Sequence, residues 1–317
     1  LFLIAALCVS CGYQQSSNSA KSLITTASGV RVRSEPAETA GEIARLALGT
    51  VVRELERTPD KGRAGNLEDY WYRVATPEGK EGWIFGGLTA PFEASDRDMI
   101  YRKIAEDRLN VRDATFADLV DLSRFLSAAA AEVKDRGARG ELELARLLAL
   151  KRSLEEIPFD EQQEPQYANW IKSQEDSVIY NEPAGQWLVI SDLFWELQKK
   201  YSDLPVAERI AWEAANNPLP GECEGYFPCY LASFNRTKGR YLDLYPGGDH
   251  AEEAIDEIAT SLDEIRKASD EASPPEPEER AEARKELNKL RETVAGASGK
   301  RKAELLKHID DYLKYYS

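Results

Sequence analysis

The sequence predicts a multidomain chain: a small all-β barrel over residues 22–92, an all-α helical domain over 96–271 and a C-terminal helical hairpin over 276–317. Short apolar–polar alternations between glycine-marked turns fill the first part, and a period of two belongs to strands with one buried face. From Asp96 onward the apolar residues recur three and four apart, which is the helical period. Charge divides the chain at the same place: the net charge is −15, yet 22–92 holds nine basic and ten acidic residues. With 317 residues and 42% hydrophobic content there is material for more than one core.

Residues 1–21 read as delivery. The apolar run from Leu1 to Val9 is shorter than the roughly 20 residues that cross a bilayer, and it fits the tail of a signal peptide. Small Ser10 directly before Cys11 resembles the lipobox of bacterial lipoproteins, in which the cysteine becomes the lipidated first residue; Cys8 stands where that pattern usually has Leu. An ordinary cleaved signal peptide is the alternative. The Ser-, Gln- and Asn-rich stretch from Tyr13 to Lys21 is a tether by composition.

In the barrel, Val30 and Val32 alternate with Arg31 and Arg33 and give a strand that ends at Ser34-Glu35-Pro36. A loop of small and polar residues leads to a β-branched strand over Gly49 to Leu55, and a long polar loop covers Thr58 to Asp69. Then comes a hairpin. Tyr70 to Val74 and Glu81 to Thr89 flank the turn Pro77-Glu78-Gly79-Lys80, with Tyr72 and Val74 on one side of the first strand and Trp71 and Arg73 on the other.

Val30-Arg31-Val32-Arg33, Gly49-Thr50-Val51-Val52, Trp71-Tyr72-Arg73-Val74 and Gly82-Trp83-Ile84, in this order and spacing, resemble the bacterial SH3 family. Gly82-Trp83-Ile84-Phe85-Gly86-Gly87-Leu88 is also similar to the run that ends in a single 3₁₀ turn in eukaryotic SH3 domains. The resemblance implies that Trp71, Trp83 and Phe85 line a ligand groove while Ile84 points inward; barrel filling is the other reading of these aromatics. Phe85 and Leu88 stand where the eukaryotic pattern has Pro and Tyr, which counts against polyproline recognition. The family further implies a cell-envelope setting and a peptide or peptidoglycan ligand.

In the body, Leu119, Leu122, Leu126 and Ala130 mark one helix, and Leu142, Leu144, Leu147, Leu148 and Leu150 a second after a break at Gly137 and Gly140. Beyond Pro158 and Pro165, Tyr167, Trp170 and Ile171 mark another, followed by Trp187, Ile190, Phe194 and Leu197, then Ala207, Ile210, Ala211 and Ala214. Tyr241 to Pro246 with His250 to Ile255 resembles the turn between helices of tetratricopeptide-type proteins, but no 34-residue period is sustained. Ala272 to Pro277 is a linker, and the stripes Leu287, Leu290, Val294 and Leu305, Leu306, Ile309, Leu313 make an antiparallel hairpin whose Tyr312, Tyr315 and Tyr316 dock on the body or on a partner.

Cys223 and Cys229 lie six apart. On a continuous helix that separation rises about 9 Å, beyond the reach of a disulfide, but Gly225 and Pro228 bend the segment. An even pair in an exported protein favours a disulfide contributing about 2 kcal/mol in the chain-entropy model; two buried thiols are the alternative.

The chain contains only His250 and His308, which excludes a His-rich metal site, and there is no Walker loop, no G-x-G-x-x-G and no redox C-x-x-C. The acidic run Glu155, Glu156, Asp160 and Glu161 reads as a solvated face rather than a glycosidase pair. The expectation is therefore no enzyme, no cofactor and no metal. An acidic body disfavours nucleic acid and anionic lipid, so the membrane is reached through the Cys11 anchor alone. Taken together the sequence predicts an envelope lipoprotein whose barrel binds a peptidoglycan peptide or an envelope protein and whose helical domain is an interaction scaffold. A purely structural scaffold and an unrecognised wall hydrolase are the alternatives.

Overall fold

The computed structural model describes residues 21–269 and 276–317; the Cys11 lipobox, nearly all of the tether and residues 270–275 of the expected linker lie outside them. The chain divides into two compact units, 1–94 and 95–317.

The first unit carries nine strands: β1 Ser22–Thr25, β2 Val30–Arg33, β3 Glu42–Leu46, β4 Val51–Arg57, β5 Gly62–Ala64, β6 Leu67–Asp69, β7 Trp71–Ala75, β8 Glu81–Phe85 and β9 Thr89–Phe92. Seven form one antiparallel sheet in the order β3-β2-β8-β7-β4-β1-β9, while β5 and β6 pair only with each other. The sheet encloses Leu23, Val30, Val32, Leu46, Val52, Val74 and Ile84, with Tyr72 and Leu88 packed against them. These are the inward residues of the alternation. Gly79 sits at φ 79° in the β7–β8 turn, where Thr76 N–H donates to the Lys80 carbonyl at 2.8 Å.

Three strands lie where the sequence reads as loop. In β3 only Leu46 is buried, so the apolar alternation is faint, and this edge strand is lined by Glu42 bonded to Arg31 (3.3 Å) and Arg45 (3.0 Å). The stretch 58–69 folds back on itself as β5 and β6 around Gly65, at φ 56°. Three-residue strands are too short for a period to register.

The second unit holds eleven helices among its described residues: α1 Arg97–Leu109, α2 Phe116–Glu132, α3 Arg136–Glu155, α4 Pro165–Ser173, α5 Ser191–Lys200, α6 Val206–Ala215, α7 Phe227–Arg236, α8 Lys238–Leu244, α9 Ala251–Ser269, α10 Pro277–Gly296 and α11 Lys302–Tyr315. One short hairpin interrupts this helical unit: β10 Val178–Asn181 pairs with β11 Gln186–Val189. Trp187 therefore belongs to a strand, and the helix expected from it begins at Ser191. Val178 and Val189 face each other in the core, and Pro183 with Gly185 at φ 63° turns the chain between them.

Gly137 and Gly140 do not break a helix. α3 runs through both, and a side chain at Gly140 would come within 3.0 Å of Val206 Cγ1 and 3.2 Å of the Tyr201 ring, so glycine permits close approach there. Thr115 caps α2 with a reciprocal box: Asp118 N–H donates to its hydroxyl oxygen, and the Asp118 carboxylate accepts from the Thr115 N–H.

The C-terminal hairpin is not a body apart. Leu287, Leu290 and Val294 of α10 and Leu305 and Ile309 of α11 share one continuous core with α3 to α9. Tyr312 and Tyr316 dock on that body, with ring centroids 4.7 and 5.3 Å from Phe227, while Tyr315 stays exposed. Between α8 and α9, Tyr241, Ala251, Ala254 and Ile255 are buried around the Pro246 turn; a single helix pair of this kind is not a repeat array. Cys223 and Cys229 are bridged, with Cα atoms 5.5 Å apart, across a loop in which Glu224 and Gly225 both have positive φ.

Candidate functional site

The strand register places the three expected groove residues on one face. Trp71 pairs with Phe85 and Arg73 with Trp83, so Trp71, Arg73, Trp83 and Phe85 share the outer face of β7 and β8, while Tyr72, Val74 and Ile84 point inward. Along this face the environment changes abruptly. Trp71 is 4% exposed and Phe85 3%; they meet edge-on with ring centroids 5.3 Å apart.

The cover is the β5–β6 hairpin. A side chain at Gly62 would stand 2.7 Å from Trp71 Nε1, and one at Gly87 would meet Phe85 at 2.7 Å and Leu67 at 3.5 Å. Glycine at both positions lets backbone lie directly against the rings. Thr58 fastens this region: its N–H donates to the Trp71 carbonyl (2.9 Å) and its hydroxyl accepts from the Trp71 N–H (3.1 Å). An open groove lined by all three aromatics is therefore not what this face presents, because Trp71 and Phe85 form a small second core beneath the hairpin.

Trp83 stays half-buried at the centre of a row that crosses five strands. Glu42 of β3 pairs with Arg33 of β2, Arg33 with Trp83 of β8, Trp83 with Arg73 of β7, and Arg73 with Glu56 of β4. Arg73 donates to Glu81 at 3.1 Å and lies 4.0 Å from Glu56. Arg33 is held by a 2.7 Å bond to the Ala40 carbonyl. The indole is thus set between two guanidinium side chains that are already anchored. A flat aromatic surface in such a polar frame can take a planar or apolar group on the ring and hydrogen-bonding groups on the rim. Nearby, Tyr70 carries Arg57 over its ring at 4.3 Å and Lys61 at 5.7 Å, a second aromatic–cation pair that alternation alone does not reveal.

This curled antiparallel sheet, its Gly82 to Phe85 strand and the 3₁₀ turn at Gly86–Leu88 are the features by which a family can be read. Residues 28–90 match the bacterial SH3 domain family. No curated protein matches the chain. The match spans β2 to β9, and a bacterial SH3 domain suggests peptide or peptidoglycan binding and an extracellular or envelope location. Among the described residues no helix is long and apolar enough to cross a membrane.

Outside the SH3 module, the histidines lie among charged and aromatic neighbours and the acidic run is solvated. His250 stacks on Trp212 with centroids 4.3 Å apart and bonds Glu253 at 3.0 Å. His308, Asp263 and Glu304 bring possible ligand atoms within 4.8 Å of one another. The Arg301 guanidinium lies among them, 2.8 Å from Glu304 and 3.6 Å from Asp263, and draws the Glu304 carboxyl below its ordinary range through a hydrogen bond. A cation already stands where a metal would, so the cluster reads as a charge network tying α9 to α11. Glu155, Glu156, Asp160 and Glu161 are all exposed.

Proposed function

We propose that the protein is a non-enzymatic bacterial envelope lipoprotein whose SH3 module binds a short peptide, from peptidoglycan or from an envelope protein, on the outer face around Trp83. The observation that carries this is the contrast within one face: Trp83 is reachable between Arg33 and Arg73, whereas Trp71 and Phe85 are packed away. The non-enzymatic reading is supported by the stacking of His250 on Trp212 and by the disulfide that occupies Cys223 and Cys229. Lipidation at Cys11 rests on the Ser10-Cys11 sequence. The acidic helical domain acts in this reading as a scaffold for partner proteins.

The test is co-sedimentation of the purified chain with isolated sacculi, and its capture of envelope proteins, for wild type and Trp83→Ala. Retention of the wild type with loss in the variant supports the reading; equal retention, or none by either, removes the recognition role. Labelled fatty acid entering the protein through Cys11 in a bacterial host tests the anchor separately, and no incorporation ends that part. Release of soluble muropeptides by the purified protein would overturn the non-enzymatic reading.

A further inference from the structure

Residues 93–317 contain 46 acidic and 31 basic residues. Arg146 stands out among the basic side chains because burial disfavours its charge. It is half-buried on α3 and, among the described residues, has no hydrogen bond and no ion pair. It lines a recess of about 620 Å³ between α2, α3 and α5, together with Arg139, Glu143, Leu147, Leu197 and Lys200.

Helical spacing explains the convergence. Arg139, Glu143 and Arg146 fall at i, i+4 and i+7 of α3 and share one face, as do Leu193, Glu196, Leu197 and Lys200 of α5. Glu143 favours the Arg146 charge electrostatically but makes no hydrogen bond or ion pair with it; its carboxylate accepts from Lys200 Nζ at 2.6 and 2.9 Å. Glu196 points its charge into solvent. Arg139 uses one terminal nitrogen on the Val133 carbonyl at 2.7 Å, and its buried Nε–H has no acceptor. The recess therefore holds a whole guanidinium and a further buried donor, neither of them hydrogen-bonded to an anion. Its floor, from Ala130, Leu147 and Leu197, is apolar. Burial pushes the Arg146 guanidinium below its ordinary pKa, so the site holds a charge at a cost that an incoming anion would relieve.

We propose that this recess binds the free C-terminal carboxylate of a peptide ending in apolar residues, with Arg146 and Arg139 holding the carboxylate and the Ala130–Leu147–Leu197 floor holding the last side chains. The planar fork of arginine matches a carboxylate, and an anion bound here gains charge-assisted hydrogen bonds without displacing an existing ion pair. A peptide suits the recess better than a short acid for two reasons. The volume lies in the range of sites that take larger ligands, and the Ser127 hydroxyl can accept from a backbone N–H group. The assignment gives the proposed scaffold role a class of partner and does not depend on the SH3 module.

The experiment is fluorescence anisotropy with the full chain and an N-terminally labelled Gly-Leu-Leu tripeptide, as free acid and as C-terminal amide, with hexanoate as competitor. The free acid is expected to bind about tenfold or more tightly than the amide, and Arg146→Gln to abolish that preference. Because Arg146 makes no hydrogen bond or ion pair and its burial cost outweighs the pull of Glu143, Arg146→Gln should not lower the melting temperature, which separates a ligand contact from a structural one. Trp83→Ala should leave the preference intact, so failure here and failure of the SH3 reading are distinguishable. Equal binding of acid and amide, or an unchanged preference in Arg146→Gln, overturns the proposal. Hexanoate binding as tightly as the tripeptide overturns the assignment to a peptide.

Discussion

Trp71→Ala and Trp83→Ala lie two residues apart in pairing along one face, and the structure predicts opposite consequences for them. Trp71 is 4% exposed, edge-on to Phe85 at 5.3 Å and covered by Gly62. Truncating a buried tryptophan costs about 3–5 kcal/mol through lost transfer energy and the cavity left behind. A module of this size has a total stability of roughly 4–10 kcal/mol. The variant should therefore lose a third or more of the SH3 module's stability. Trp83 is half-exposed and fills no cavity, so its truncation should cost about 1 kcal/mol. Hydrogen exchange of the full chain, followed by mass spectrometry of peptides covering β7 and β8, reads the local opening energy. Each 1.4 kcal/mol is about tenfold in exchange rate, so Trp71→Ala should accelerate exchange by at least about two decades and Trp83→Ala by about one at most. A Trp71→Ala module protected within about tenfold of wild type, or equal losses in both variants, would refute the assignment of Trp71 to a second core and Trp83 to a surface.

Four further outcomes follow from the same coordinates. Gly82→Ala should destabilise the SH3 module by about 1–3 kcal/mol, because the added carbon would stand 2.6 Å from Val32 Cγ1 and 2.7 Å from the Arg33 carbonyl oxygen; denaturant unfolding followed at module amides measures it. Thr115→Ala removes the hydroxyl that caps α2 and should cost about 1 kcal/mol in thermal or denaturant unfolding of the second unit, with Thr115→Ser close to neutral. Reducing Cys223–Cys229, or replacing both with Ser, should loosen the 221–229 loop by about 2 kcal/mol, read as faster proteolysis or exchange there with the barrel unaffected. Burial, aided by the bond to Glu132, raises the Tyr101 hydroxyl from 10.0 to about 12. Neutral Tyr101 thus favours the folded state: its contribution is present in full below pH 10 and is lost as pH rises toward 12, and Tyr101→Phe should flatten that decline in ultraviolet-monitored unfolding.

How far the sequence carries depends on which interactions each prediction needs. Val30, Val32, Val74 and Ile84 are inward because alternation is a property of the backbone, and no knowledge of neighbouring strands is required. The helical stripes of α2, α6, α10 and α11 are legible for the same reason. What failed was whatever depended on partners distant in sequence. Gly140 reads as a helix break because its reason lies on Val206 and Tyr201, and β10 does not register because four residues ending at Asn181 carry too little period to outweigh the surrounding helices. The candidate groove failed in the same way. Its three aromatics were correctly assigned to one face, but burial of two of them is decided by Gly62, Leu67 and Gly87, and nothing local to Trp71 or Phe85 announces that the polar stretch after Thr58 will fold over them.

That division also orders the functional argument. A face can be read from local alternation, but a site exists only where the register leaves that face uncovered, and here the register leaves Trp83 between Arg33 and Arg73. The recess around Arg146 has the same logic in helical form: spacing places Arg139, Glu143 and Arg146 together, and only the packing of α5 decides that Lys200 takes the hydrogen bonds of Glu143 and leaves Arg146 with none. In both units the residue nominated for binding is the one whose neighbours are already satisfied. Substituting it should therefore change binding while sparing stability, whereas substituting Trp71 should do the reverse.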